Sequence, residues 1–214
     1  DINSLNQFCL GEDAAAYYNH FDPRPLSSLT SAEVMALRPK VHQLLTQSFP
    51  DSVFVKTHNL LGEVEGSPLV NMECTAGAIY VVRNPLDVVI SYAHHFGMEM
   101  DEAIAQLNFP GAGTPSTDMN ARQYYGTWSA HVASWTQVPL PALHVVRYED
   151  MRQDTAAVLG RILEFTGTPA SEVELEEAVR FAAYDNMKKL EQKQHFRAAG
   201  SRVKAADQSN PDSF

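Results

Sequence analysis

Apolar residues change spacing half-way through the stretch Ala78 to Phe96, AIYVVRNPLDVVISYAHHF, and the change marks two elements. Ile79 to Val82 is a continuous β-branched and aromatic run without polar alternation, which predicts a fully buried strand ending at Arg83. Asn84 then caps a helix and Pro85 takes the first helical position, where a missing N–H costs nothing. Leu86, Val89, Ile90 and Ala93 recur at helical spacing as its buried face, while Asp87, Ser91 and His95 share the other. A strand that delivers Arg83 to the mouth of a helix sets a cation beside free N–H groups and a positive dipole end, an arrangement that suits an anion such as phosphate.

The same reading extends along the chain. Asp1 to Pro25 shows short apolar patches at Leu5, Phe8, Leu10 and Tyr17 and predicts a short helix with loops. Thr30 and Glu33 form a capping-box pattern. The stripe Val34, Leu37, Val41, Leu44 and Leu45 carries that helix to about residue 47, with Pro39 expected to bend or restart it. Val53, Phe54 and Val55 predict a buried strand from which Lys56, Thr57, His58 and Asn59 emerge. A short helical segment around Val70 to Cys74 precedes the central strand, and a helix fits Asp101 to Leu107. Phe109 to Thr117 is a Gly- and Pro-rich connection. Tyr125, Trp128, Val132 and Trp135 step along one face of a helix as core packing, and Pro139 and Pro141 lead into the strand of LHVVRYED. Asp154 to Phe165 is amphipathic and closed by Gly167 and Pro169. Ser171 and Glu174 start another helix by a capping box. Met187 and Leu190 continue a helical pattern to about Gln194, and His195 onward reads as a surface excursion. Strands alternating with helices predict an α/β fold, a central parallel sheet with helices on both faces.

Composition narrows the function classes. At 214 residues and 44% hydrophobic content, residues 1–214 read as a single domain with a substantial core. The net charge of -10 argues against a nucleic-acid partner and makes any small anion depend on a few placed basic residues. Two cysteines do not make a disulfide framework, and no apolar run approaches the ~20 residues that cross a bilayer, so a cytoplasmic setting is expected. The eight histidines show no metal-ligand spacing. The opening Asp1 and the closing SNPDSF lead to the expectation that the chain is trimmed at both ends.

Three strand ends collect the chemistry: Lys56-Thr57-His58, Arg83-Asn84 and Tyr148-Glu149-Asp150. In open α/β sheets ligands bind at such carboxyl ends, so a cation, a titratable base, an anion site and an aromatic platform are expected on one edge. Ser91, about two turns beyond Asn84, lies on the face of the helix mouth.

KTHN, YVVRNPLDVVISYAHHF, VVRYEDM, NMKKLE and KAADQSNPDSF, in this order, resemble the landmarks of the sulfotransferases that use 3′-phosphoadenosine 5′-phosphosulfate, whose fold is related to the phosphate-loop NTPases. The resemblance implies that His58 is the general base and that Lys56 stabilises the transferring sulfuryl group. It also implies that Arg83 and Ser91 bind the 3′-phosphate and that Tyr148, Tyr184 and Met187 lie near the adenine. It further implies a small-molecule acceptor bearing a hydroxyl or amine, and a reaction without metal. Alanines at 182 and 183 replace a Thr-Ser pair of many relatives and remove a hydroxyl contact. The family's PKSGTTW-like phosphosulfate loop and its C-terminal arginine-lysine-glycine run are not in this sequence, and KTHN departs from the KTHLP of animal small-molecule enzymes. Two other readings stand beside this one. A phosphate-loop nucleotide kinase would use VVRYED as a metal-binding strand end, and a non-catalytic nucleotide-binding protein would lack the phosphosulfate loop altogether.

Overall fold

The structure is a computed structural model and describes residues 8–137 and 142–194. Leu5, Asn6, Pro139, Pro141 and the surface excursion from His195 lie outside the described residues.

The N-terminal region is built on a helix that the sequence punctuates clearly. Strand β1 (Cys9–Gly11) and the short helix α1 (Ala15–Tyr18) precede α2 (Ser31–Leu45). The α2 start is a complete capping box: the Glu33 N–H donates to Thr30 Oγ1, and the Thr30 N–H donates to the Glu33 carboxylate at 2.8 Å. Pro39 does not restart the helix. Val34, Met35, Val41 and Leu45 are buried on both sides of it, and that burial outweighs the one backbone bond a proline removes. Val34, Val41 and Leu45 join Leu10, Ala15, Tyr18, Leu26, Leu29 and Ala121 in one core cluster.

Strand β2 (Phe54–Lys56) runs parallel to β1, with Leu10 opposite Val55 and Gly11 opposite Lys56. A hairpin of β3 (Glu63–Val64) and β4 (Ser67–Pro68) and a 3-10 turn over Met72–Cys74 follow. Strand β5 (Ala78–Val82) leads into α3 (Pro85–Phe96), which Gly97 closes in the left-handed conformation at φ 62°, and α4 (Met100–Leu107) packs on α3. A second hairpin, β6 (Gly113–Thr114) with β7 (Gln123–Tyr124), precedes α5 (Trp128–Thr136). Tyr125 lies before that helix, not on it.

Strand β8 (Leu143–Arg147) pairs parallel with β5 and passes directly into α6 (Tyr148–Gln153). Helices α7 (Thr155–Thr166), α8 (Glu172–Ala182) and α9 (Tyr184–Gln194) complete the described chain, and the Ser171–Glu174 capping box is formed. The parallel strands thus form two ladders, β1–β2 and β5–β8.

Burial is shallower than the apolar runs predict. Val81 of β5 is 55% exposed, and Phe54 and Val55 of β2 are exposed as well. Each ladder has two strands, so one edge and part of each face stay open. On α3 only Val89 and Ala93 are buried, against Ala103 of α4, while Leu86 is 72% exposed and Ile90 is also exposed.

Candidate active site

The end of β2 is locked from below by a buried carboxylate. Register carries the chain on from Gly11 opposite Lys56, and the Glu12 N–H donates to the Lys56 carbonyl at 3.2 Å. The Glu12 side chain turns inward and is fully buried. Its carboxylate accepts from Arg38 Nη1 at 2.6 Å, Asn59 Nδ2 at 2.7 Å and Thr57 Oγ1 at 3.1 Å, with Tyr18 Oη and His42 Nε2 at 3.4 Å. His42 Nδ1 accepts the Asn71 N–H, which leaves the ring proton on Nε2, facing Glu12. Burial pushes the Glu12 carboxyl up, and the His42 hydrogen bond with the Arg38 charge more than reverses this, holding it below the usual carboxylate range. Arg38 also donates to the Arg122 carbonyl.

From above, α5 holds the same segment. His131 Nδ1 accepts from the Tyr80 hydroxyl at 3.0 Å, and its Nε2–H donates to the His58 carbonyl at 3.2 Å. This pairing fixes the neutral tautomer, and burial keeps the His131 imidazole below its ordinary pKa. Trp135 Nε1 donates to the Asn59 carbonyl at 3.1 Å, and the Tyr80 ring stacks with both His131 and Trp135. Tyr80 belongs to β5, so these side chains tie the two parallel ladders together.

His58 is exposed on this fixed segment, and among the described residues its ring has no hydrogen-bond partner. The Tyr125 ring stands edge-on to it at 6.3 Å between centroids. Partial desolvation and the neighbouring Lys56 charge lower its pKa from the ordinary imidazole value, so the ring is neutral and able to accept a proton at neutral pH. Asp13, raised by burial and by Glu12, is a weaker influence in the opposite direction.

The second end is built by β5, β8 and α3. The register sets Val82 opposite Arg147, so the next residues, Arg83 and Tyr148, meet as the strands end. The Arg83 guanidinium lies over the Tyr148 ring at 4.6 Å from the centroid. The Asn84 N–H donates to Glu149 at 2.7 Å, which lowers the Glu149 carboxyl below its usual range. Arg147 lies 3.8 Å from Glu149 and 3.9 Å from Asp150.

One expectation is corrected here. The α3 mouth does not present free N–H groups: the Leu86 N–H is taken by the Asn84 side chain, those of Asp87 and Val88 by the Asn84 carbonyl, and Pro85 has none. Its attraction for an anion comes from Arg83 and the helix dipole instead. Among the described residues Arg83 Nε is buried without a hydrogen-bond partner, the Asp87 carboxylate being 4.0 Å away, and the same is true of Arg38 Nε and Arg122 Nε. The Arg83 guanidinium thus keeps hydrogen-bonding capacity to spare.

Of the residues singled out in the sequence, Lys56 and His58 stand together at the β2 end, and Arg83 and Tyr148 are in contact at the β5–β8 end. Ser91 is half-buried two turns down α3. Tyr184 and Met187 lie on α9, which packs on α8; Tyr184 is exposed with Lys188 Nζ 5.7 Å from its ring centre, and Met187 is half-buried. Sequence reasoning missed Glu12, Arg38, His131 and the role of Asn59. A signal existed for one of them. Arg38 falls between Val34 and Val41 on the apolar stripe of α2, and a guanidinium at a core position calls for a buried anion.

The sulfotransferase domain family matches residues 18–209. The chain belongs to the sulfotransferase family. It is 29% identical over 151 residues to Sulfotransferase 1A1 of Bos taurus, covering 68% of this chain and 48% of that protein. It is 31% identical over 145 residues to Sulfotransferase 1A1 of Mus musculus, covering 65% and 46%. The luciferin sulfotransferase of Photinus pyralis is 26% identical over 139 residues, covering 63% and 35%. The chain therefore spans about half the length, or less, of these curated relatives. Among solved structures, mouse sulfotransferase SULT7A1 complexed with PAP superposes with a TM-score of 0.54 at 22% identity, over 71% of this chain and 52% of that one. Retinol dehydratase in complex with androsterone and inactive cofactor PAP gives 0.51 at 22% identity, over 86% and 55%. The fold is the α/β fold of the sulfotransferases.

Proposed function

We propose that this protein transfers a sulfuryl group from 3′-phosphoadenosine 5′-phosphosulfate to the hydroxyl or amine of a small-molecule acceptor. The observation that carries the reading is the Arg83–Tyr148 junction, in which a guanidinium with an unused buried donor lies on an aromatic ring at the mouth of α3. Arg83 and Ser91 would hold the 3′-phosphate and Tyr148 the adenine, with Tyr184 and Met187 near the base. The names of relatives and the PAP in both solved neighbours support the donor class.

His58 takes the acceptor proton as the acceptor oxygen or nitrogen bonds to sulfur. The bond from sulfur to the bridging phosphate oxygen breaks, and 3′-phosphoadenosine 5′-phosphate leaves. Lys56 opposes the negative charge that builds on the sulfuryl and bridging oxygens. Such a transfer is governed by positioning and charge, and it asks for no metal of the protein. The kinase reading is less favoured, because Glu149 already accepts the Asn84 N–H and Asp150 lies 3.9 Å from the Arg147 guanidinium. No described helix is long and apolar enough to cross a membrane, and the net charge of -10 disfavours nucleic acid; a cytoplasmic small-molecule enzyme is the setting we infer.

The test is transfer of label from radiolabelled donor to a panel of phenolic, alcoholic and amine acceptors by the full-length protein. Transfer without added magnesium, lost in His58→Ala, is expected. Turnover of ATP with magnesium and none of the sulfonate donor would overturn the reading.

A further inference from the structure

We infer that Asn59 is a positioning residue for His58, joining the buried Glu12–Arg38 pair to α5 through the backbone that carries the imidazole. The inference rests on the proposed role of His58 as general base.

Asn59 is 1% exposed and has no open path to an acceptor or a nucleotide. Its backbone and side-chain polar groups are nevertheless all engaged. Its N–H donates to Thr57 Oγ1 at 3.1 Å, and its carbonyl accepts from Trp135 Nε1. Its Nδ2 donates to Glu12 Oε1 and Thr57 Oγ1, and its Oδ1 accepts the Tyr124 N–H at 2.7 Å. Three other pieces of chain converge on this one residue: the end of β1, the β7 strand and α5. Packing alone does not call for this. An apolar side chain would fill the site without requiring the partners of the side-chain amide, Glu12, Thr57 Oγ1 and the Tyr124 N–H.

The consequence falls on the preceding residue. Thr57 and Asn59 flank His58, Thr57 Oγ1 donates to the same Glu12 carboxylate, and the His58 carbonyl is held by His131. The backbone on both sides of the imidazole is thus pinned to groups that belong to the core. The imidazole itself has no such anchor, so its placement is inherited from the pinned backbone. Misplacing a reacting group by about 1 Å costs on the order of 10²-fold in rate, which is ample reason to fix it this firmly.

The experiment is a double-mutant cycle in the full-length protein with His58→Ala and Asn59→Ala. It reads kcat for sulfuryl transfer together with the stoichiometry and Kd for 3′-phosphoadenosine 5′-phosphate by calorimetry. Asn59→Ala is expected to lower kcat about 10- to 100-fold in the parent, with stoichiometry unchanged and Kd within about twofold, because the nucleotide end is built by other strands. In the His58→Ala background the same substitution should lower kcat by less than about twofold, since the base it positions is gone. Equal losses in both backgrounds, or unchanged kcat in Asn59→Ala, would overturn the inference while leaving the base intact. Unchanged kcat in His58→Ala would instead overturn the role of His58, and this inference with it. If Asn59→Ala fails to bind the nucleotide stoichiometrically, Thr57→Val, which keeps the volume and removes only the shared hydroxyl, carries the same cycle with the same two outcomes.

Discussion

The two ends of the site are held in opposite ways. At the β2 end, Glu12, Arg38, Thr57 and Asn59 bond to one another inside the core, and the His58 ring stands on a backbone with little freedom to shift. At the β5–β8 end, Arg83 rests on Tyr148 with a buried donor unused, beside strands and a helix on which Val81, Val145, Leu86 and Ile90 are exposed. The proposed chemistry asks for this contrast. A general base must be in place before the acceptor arrives, whereas an anion site keeps its hydrogen-bonding capacity for the ligand.

Breaking the fixed end should have the largest effect. Glu12→Ala leaves Arg38 buried without its anion, and urea denaturation is expected to show a loss of about 3–5 kcal/mol. In the parent protein this contribution is full above the unfolded carboxyl value of about 4.3 and fades as pH falls through the lower folded pKa of Glu12; a stability that does not decline there would contradict the network.

His58→Ala should lower kcat by about 10² to 10⁴ with little change in nucleotide affinity, as removal of a general base does. Loss of affinity in place of rate would place His58 at the wrong end of the site. At the open end, Arg83→Ala should weaken binding of 3′-phosphoadenosine 5′-phosphate by about 1.5–3 kcal/mol, the range of a charged hydrogen bond, with no matching loss of stability.

A finer test concerns the charge between the two ends. Lys56 helps to lower the His58 pKa, so the acid limb of kcat/KM should lie below the ordinary imidazole value of about 6.5. Lys56→Met removes the repulsion that disfavours the imidazolium and should move that limb to higher pH, on top of its loss of rate. A limb that stays in place would separate Lys56 from His58.

Much of this was legible in the sequence where the cause is local. The capping boxes at Thr30 and Ser171, the cap at Asn84 and the α/β alternation depend on neighbours a few residues apart, and all are formed. The contact of Arg83 with Tyr148 follows once β5 and β8 run parallel. Burial was less legible, because an apolar run such as Ile79 to Val82 says what a strand would bury and not what lies against it. The polar core was least legible. Glu12 meets Arg38 and Asn59 across 26 and 47 residues, and neither spacing nor propensity relates positions so far apart. His131 is not among the stripe residues Trp128, Val132 and Trp135, and only the fold sets it between Tyr80 and the His58 carbonyl.

In the proposed function the open end reads a 3′-phosphate. Calorimetric titration of the full-length protein with 3′-phosphoadenosine 5′-phosphate and, separately, with AMP tests it most directly. Clear preference for the nucleotide that carries the 3′-phosphate, abolished in Arg83→Ala, is the predicted result; equal affinity for the two nucleotides would contradict it.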